Sequence, residues 1–303
     1  MVNRFPDYPF QPQRFDVRPG IAMSFLDEGP RDGEVVVMLH GNPSWSFYWR
    51  HLVSGLSDPA AGKAYRCIVP DHVGMGLSDR PDDAHYAYTL QSRIDDLDAL
   101  LRHLGIDGPV TLAVHDWGGM IGFGWALRDP SRVRRLVITN TAAFPLPQAK
   151  RFPKRLAMGR DSRLGGWLIR RFNLFARGAA RFGTERSLPK DVRDAYAGVY
   201  DGWDNAISTL RFMQDIPLSE RDAAWPLLKA SEAALSGYTD RPVFIGWGLR
   251  DFVFDQHFLA GFRRALPRAL VREFEDAGHY VLEDKHEVLV PAIRRFLDAN
   301  PLA

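Results

Sequence analysis

Apolar residues along this chain come in short blocks separated by polar, glycine-rich turns. Six blocks predict strands, being β-branched or aromatic runs bounded by turn residues: EVVVMLH at 34–40, YRCIVPD at 65–71, PVTLAVHD at 109–116, RRLVITN at 134–140, RPVFIGWG at 241–248 and LVREFEDA at 270–277. Between them, WSFYWRHLVSGL, TLQSRIDDLDALLRHL, the segment from Trp117 to Leu127, HFLAGFRRAL and VLVPAIRRFLDA read as helices. Apolar strands alternating with helices imply a mostly parallel sheet covered on both faces. The alternation fails once, between Asn140 and Arg241, where about a hundred residues rich in Arg, Phe, Leu and Ala carry no strand pattern. The expectation is a core made of residues 1–141 and 237–303, interrupted by a helical insertion, 142–236, that closes as a cap over the carboxyl edge of the sheet. Because the insertion returns directly to a core-like strand, a cap fits better than a separately linked domain.

Composition alters this picture little. A chain of 303 residues, 46% hydrophobic and 25% charged, can bury a full core. Cys67 is its one cysteine, which excludes an intrachain disulfide and a cysteine-rich metal site. The histidines lack ligand spacing, and HVGMG at 72–76 lacks the pattern of a phosphate loop, so neither metal nor organic cofactor is expected, and nothing points to nucleic acid. The opening MVNRFPDYPFQPQRF has no basic segment followed by an apolar one, and no run of 18 apolar residues follows, so a cytoplasmic chain without a transmembrane segment is expected.

Charge does alter the picture. The net +2 hides 13 Lys or Arg against Asp161, Glu185 and Asp191 between Lys150 and Arg193, a local +10 that leaves −8 elsewhere. In the same stretch Leu168, Phe172, Phe175, Ala179 and Phe182 recur at spacings of four, three, four and three, a helical stripe, with Arg163, Arg170, Arg171, Arg177 and Arg181 on or near the other faces. Two readings stay open. One is a buried stripe beneath a solvated basic face; the other is a lid for long alkyl chains whose outer side docks on an acidic partner or a membrane surface.

Ligands of open α/β sheets bind beyond the carboxyl ends of the strands, and there the chain places His40-Gly41-Asn42-Pro43, Asp116-Trp117, Gly248-Leu249-Arg250-Asp251 and Gly278-His279-Tyr280. Asp251 follows Asp116 by 135 residues and His279 follows by another 28, the order nucleophile, acid, histidine. Asp116 stands where many hydrolases carry serine. A serine that displaced a leaving group from saturated carbon would be left as an ether, which water does not readily cleave, whereas an aspartate is left as an ester that can be released. Blander roles compete at each position: a helix cap for Asp116 or Asp251, a core histidine for His279, a turn for Asn42, simple packing for Trp117. His40 and His115 are read as structural.

HGNP at 40–43, PDHVGMGLSDRP at 70–81, VHDWGG at 114–119, GLRDFVFD at 248–255 and GHYVLED at 278–284 resemble the haloalkane dehalogenase branch of the α/β-hydrolase superfamily. The resemblance implies an α/β-hydrolase fold, with Asp116 as nucleophile, His279 as base, Asp251 as its acid, and Asn42 with Trp117 donating N–H groups to the leaving group. Backbone N–H groups of Asn42 and Trp117 would form the oxyanion hole. Epoxide hydrolases share HDWGG but carry a bulky apolar residue at the place of Asn42. Some dehalogenases put a catalytic Glu after the strand RRLVITN, and Asn140 there cannot serve. Longer stretches, SFLDEGPRDGEVVVMLHGNPSWSFYWRHLVSGLSD, ITNTAAFPLP, STLRFMQDIPLS and YVLEDKHEVLVPAIRRFL, resemble the β-lactone decarboxylases of bacterial long-chain olefin biosynthesis. That resemblance implies conversion of cis-3,4-dialkyl β-lactones to cis-alkenes, an apolar substrate, and an assembly with the condensing, reducing and lactone-forming enzymes of the pathway, through the basic cap. Haloalkane hydrolysis is the alternative; epoxide hydrolysis and a non-catalytic scaffold fit less well.

Overall fold

A computed structural model describes residues 5–302, so residues 1–4 and 303 of the expected core lie outside the described residues. The chain runs through strands β1 (Gln13–Arg18), β2 (Ile21–Glu28) and β3 (Val35–Leu39), helix α1 (Arg50–Ser57), β4 (Arg66–Pro70), α2 (Leu90–His103), β5 (Val110–Asp116), α3 (Trp117–Ala126) and β6 (Val133–Thr141). Six helices follow with no strand among the described residues: α4 (Lys154–Asp161), α5 (Arg163–Phe172), α6 (Leu174–Phe182), α7 (Lys190–Gly198), α8 (Ile207–Gln214) and α9 (Trp225–Ala234). The chain then completes β7 (Val243–Gly248), α10 (Gln256–Ala265), β8 (Leu270–Phe274) and α11 (Val281–Ala299).

The strands form one sheet in the order β1-β2-β4-β3-β5-β6-β7-β8, parallel from β4 to β8 and antiparallel at the β1, β2 end. Every residue of β5 is buried, as an unbroken apolar run between two helical layers should be. Strand order reverses between β3 and β5, which opens a crevice at their carboxyl ends. Glycines let the next helix seat tightly there. A side chain at Gly118 would overlap the Leu39 carbonyl, and one at Gly119 would overlap Thr141.

All six predicted strands are present, and the hairpin β1–β2 is an addition. Its outer strand QRFDVR is half exposed, and the turn between the strands uses Gly20 at φ 75°, so local pattern offers little to read. The predicted stripe at 168–182 is not one helix. Asn173 takes the left-handed conformation (φ 52°, ψ 36°) and ends α5, its side-chain amide donating to the Ala197 carbonyl and to Asp201.

Helix α11 begins at Val281, seven residues before its apolar periodicity becomes legible, because its first turn buries two acids. Asp284 accepts from the backbone N–H groups of Glu185, Arg186 and Gly278. Glu283 is buried against Arg50, with Arg50 Nη2 donating to its Oε2 at 2.9 Å and Tyr196 also donating. Glu283→Ala would strand the buried guanidinium, so urea unfolding should show a loss of about 3–5 kcal/mol.

Candidate active site

Asp116 closes β5 in a conformation that L-residues rarely adopt, φ 51° and ψ −126°, and its side chain makes no cap bond to α3. The carboxylate turns instead toward the crevice. Its Oδ1 accepts from the Asn42 backbone N–H at 2.6 Å, and the Trp117 backbone N–H, though it closes no cap bond, is near enough to favour the charged carboxylate. Gly41 makes this approach feasible, since any side chain there would overlap the Asp116 carboxylate. The other oxygen, Oδ2, lies 3.6 Å from His279 Nε2.

His279 Nδ1 is 2.8 Å from Asp251 Oδ2, so Asp251 orients the ring and leaves Nε2 facing Asp116. Asp251 does not cap α10; Asp255 does. Two donors hold Asp251, the Val253 backbone N–H at 2.7 Å and the Asn140 side-chain amide at 3.0 Å. Asn140 also ties itself to Gly248 at both its oxygen and its nitrogen, locking the ends of β6 and β7 together.

The three groups set one another's charge. Burial pushes the Asp116 carboxyl above its ordinary range, against the pull of His279 and the two backbone donors. Burial works the same way on Asp251, but the charge and hydrogen bond of His279, with backbone donors, outweigh it and hold the carboxyl below its usual range. For His279, burial opposes the cation, yet the charge and hydrogen bond of Asp251, with the charge of Asp116, raise its pKa. Asp251→Asn should keep the fold but cut the hydrolytic half-reaction by about 10³–10⁴-fold, since the ring loses both its anion and its preferred tautomer. Single-turnover kinetics with a bromoalkane would separate that step from alkylation.

Asn42 and Trp117 border the same space. The Asn42 amide gives one N–H to the Thr209 carbonyl of α8 at 2.9 Å, which leaves a second for a ligand. Trp117 rests edge-on against Phe212, ring centroids 5.1 Å apart, and its indole N–H has no protein partner among the described residues. Arg93, buried and paired with Asp215 at 3.0 Å, stacks over Phe212 at 3.6 Å and lies 5.4 Å from the Trp117 ring. A positive charge thus stands behind one of the two candidate ligand donors.

Asn42, Asp116, Trp117 and His279 share a cavity of about 770 Å³ whose other walls are mainly apolar and come largely from α4, α5, α6 and the segment Ile216, Pro217 and Leu218 that follows α8. Of the predicted stripe, Leu168, Phe175, Ala179 and Phe182 line this cavity, while Phe172 does not. A smaller cavity of about 320 Å³ at the amino ends of β6 and β7 holds none of the candidate residues. His40 sits buried with its Nδ1 at 2.8 Å from the Gly41 carbonyl and its Nε2 accepting from the His72 backbone N–H; burial lowers its pKa to about 4. It therefore braces the Gly41 turn. His115 stacks on Tyr48 at 4.0 Å behind His279, and burial drives its pKa far down as well. Asn140, Thr209 and Arg93 are the contributors that sequence reading missed as partners, because each acts on another side chain across the fold.

A strained aspartate at a strand-to-helix turn, with a histidine and a second aspartate at the ends of later strands, is the architecture of the α/β hydrolases. The chain belongs to the alpha/beta hydrolase fold family, whose profile matches residues 34–286. Within it, the chain is 69% identical over 303 residues to a cis-3-alkyl-4-alkyloxetan-2-one decarboxylase of Xanthomonas campestris pv. campestris, covering 98% of this chain and 99% of that one. A haloalkane dehalogenase of Mycolicibacterium paratuberculosis is 32% identical over 294 residues, 95% and 92% of the two chains. A crystal structure of an ancestral haloalkane dehalogenase matches with a TM-score of 0.85 at 25% identity, covering 95% of this chain and 98% of that one.

Proposed function

We propose that this chain is a β-lactone decarboxylase converting cis-3,4-dialkyl β-lactones to cis-alkenes and carbon dioxide in olefin biosynthesis. Near-full-length identity of 69% to a cis-3-alkyl-4-alkyloxetan-2-one decarboxylase carries the choice of substrate. The site supplies the mechanism. Asp116 Oδ2 attacks the ring carbon that bears oxygen, the C–O bond breaks, and its electron pair leaves on a carboxylate that the Asn42 and Trp117 side-chain N–H groups receive. Oδ1 remains on the backbone donors as the ester carbonyl. The bond from the neighbouring ring carbon to the carboxylate then supplies the electrons of the C=C bond while the ester C–O bond to Asp116 breaks. Carbon dioxide departs and the Asp116 carboxylate is restored, with no water consumed. Inversion in the first step and anti elimination in the second together preserve the cis geometry.

His279 decides the fate of the ester. As a neutral base it would activate water and yield a hydroxy acid; as an imidazolium it cannot, and its charge favours departure of the Asp116 carboxylate. The Asp251 contribution to its raised pKa persists after Asp116 is esterified. The same site can hydrolyse bromoalkanes by the first step with halide leaving, a second reading that the dehalogenase relatives favour. The two activities should part with pH. Bromide turnover should fall as pH drops through the His279 pKa, above the ordinary histidine value, while alkene formation persists until Asp116 protonates. Parallel pH profiles would contradict the assignment.

Residues 142–236 serve in this reading as the cap that shields both alkyl chains. Enzymes that make the lactone are the expected protein partners, in the cytoplasm. No helix among the described residues is long and apolar enough to cross a membrane. Incubation with a cis-dialkyl β-lactone and, separately, with 1-bromohexane should give alkene and carbon dioxide from the first. Neither alkene nor bromide from the wild-type protein would favour a scaffold and end the proposal.

A further inference from the structure

We propose that the outward face of α4, α5 and α6 docks on the surface of an anionic phospholipid bilayer, with the mouth of the cavity turned toward the lipid. Six of the ten exposed large apolar side chains among the described residues fall between Met158 and Phe182: Met158, Leu164, Trp167, Phe172, Leu174 and Phe182, with Leu164 at 64% and Phe182 at 66% exposure. Clustering of this kind within one stretch of three helices is not the scatter expected of an ordinary surface. The same segment carries cations without an acidic partner, Arg171 and Arg181 lying instead over the exposed rings of Phe172 and Phe182 at 5.3 and 5.5 Å. Lys150, Arg160, Arg170 and Arg177 pair with acids, but Arg151, Lys154, Arg155, Arg163, Arg171 and Arg181 are exposed and make no ion pair among the described residues.

The cavity reaches the surface through this face. Lys154, Arg155, Met158, Leu174, Phe182 and Phe252 are both exposed and part of the cavity lining, so they form its rim. An anionic bilayer answers both the cations and the apolar side chains, with headgroups for the guanidinium and ammonium groups and an apolar layer beneath for Leu164, Trp167 and the rim. Long basic side chains can reach the headgroups while apolar neighbours sit deeper. Delivery of a dialkyl lactone from the bilayer, or release of the alkene into it, rests on the reading under Proposed function; the docking itself does not.

Flotation of the full chain with vesicles of phosphatidylglycerol and phosphatidylethanolamine, against phosphatidylcholine alone, tests the surface. Binding should require phosphatidylglycerol and weaken with added salt. It should fall at least tenfold in Arg163→Glu/Arg171→Glu and in Leu164→Glu/Trp167→Glu, none of which lines the cavity. Both variants should keep wild-type turnover of a short-chain, water-soluble β-lactone, which separates a failed surface from a failed active-site reading. No flotation with anionic vesicles, or flotation unchanged in both variants, would overturn the proposal. So would light scattering that showed a dimer lost in Leu164→Glu/Trp167→Glu, since a second copy of the chain would then be the occupant.

Discussion

A His279→Phe variant mixed with a cis-dialkyl β-lactone is expected to gain the mass of the whole lactone, located on Asp116. In the proposed mechanism the wild-type ester collapses because the Asp116 carboxylate leaves beside a protonated His279, whose Nε2 lies 3.6 Å from Oδ2. Phenylalanine keeps much of the ring volume between Asp116 and Asp251 but supplies neither charge nor base. Alkylation needs only the carboxylate and the two leaving-group donors, so it should proceed while breakdown slows by about 10²–10⁴-fold. With 1-bromohexane the same variant should gain only a hexyl group. Asp116→Ala provides the complement: no adduct from either compound, and turnover lower by about 10⁴-fold or more, because no other carboxylate among the described residues lines the cavity. Intact-protein mass spectrometry reads both outcomes. Undiminished consumption of lactone by His279→Phe without any mass gain would refute the covalent ester.

Trp117→Phe should lower kcat on the lactone by about 10²–10³-fold, or about 3–4 kcal/mol of transition-state stabilisation. Phenylalanine preserves most of the contact with Phe212 and Arg93 while deleting one N–H that has no protein partner among the described residues. That N–H gains its anion only as the C–O bond breaks, so the loss should fall on kcat with little change in KM. A structural role alone would behave differently: stability would drop and kcat would hold. Thermal unfolding measured beside kinetics distinguishes the two, and a variant within threefold of wild-type turnover would remove Trp117 from the leaving-group site.

Much of this was legible in the chain itself because the governing physics is local. Parallel strands covered on both faces are largely apolar, so β3 to β7 announce themselves, whereas the edge strand β8 is mostly exposed and shows only as a short run before a turn. The candidate nucleophile can be picked out because HDWGG places an aspartate at a strand-to-helix turn, and the order Asp116, Asp251, His279 follows from which strand ends carry polar residues. The basic excess between Lys150 and Arg193 is likewise a matter of composition.

Tertiary structure decided what depends on partners distant in sequence. The first turn of α11 looked too polar to be buried until Arg50 and Tyr196 arrived at Glu283 and loop N–H groups at Asp284. One apolar stripe became two helices because the side chain of Asn173, at the helix end, is satisfied by Ala197 and Asp201. Asn140, which no motif marks as a partner, holds the Asp251 carboxylate that faces His279. Spacing reports which face of an element is apolar, but the charge state of His279, the free N–H of Trp117 and the cavity above Asp116 are set by what the fold packs against them.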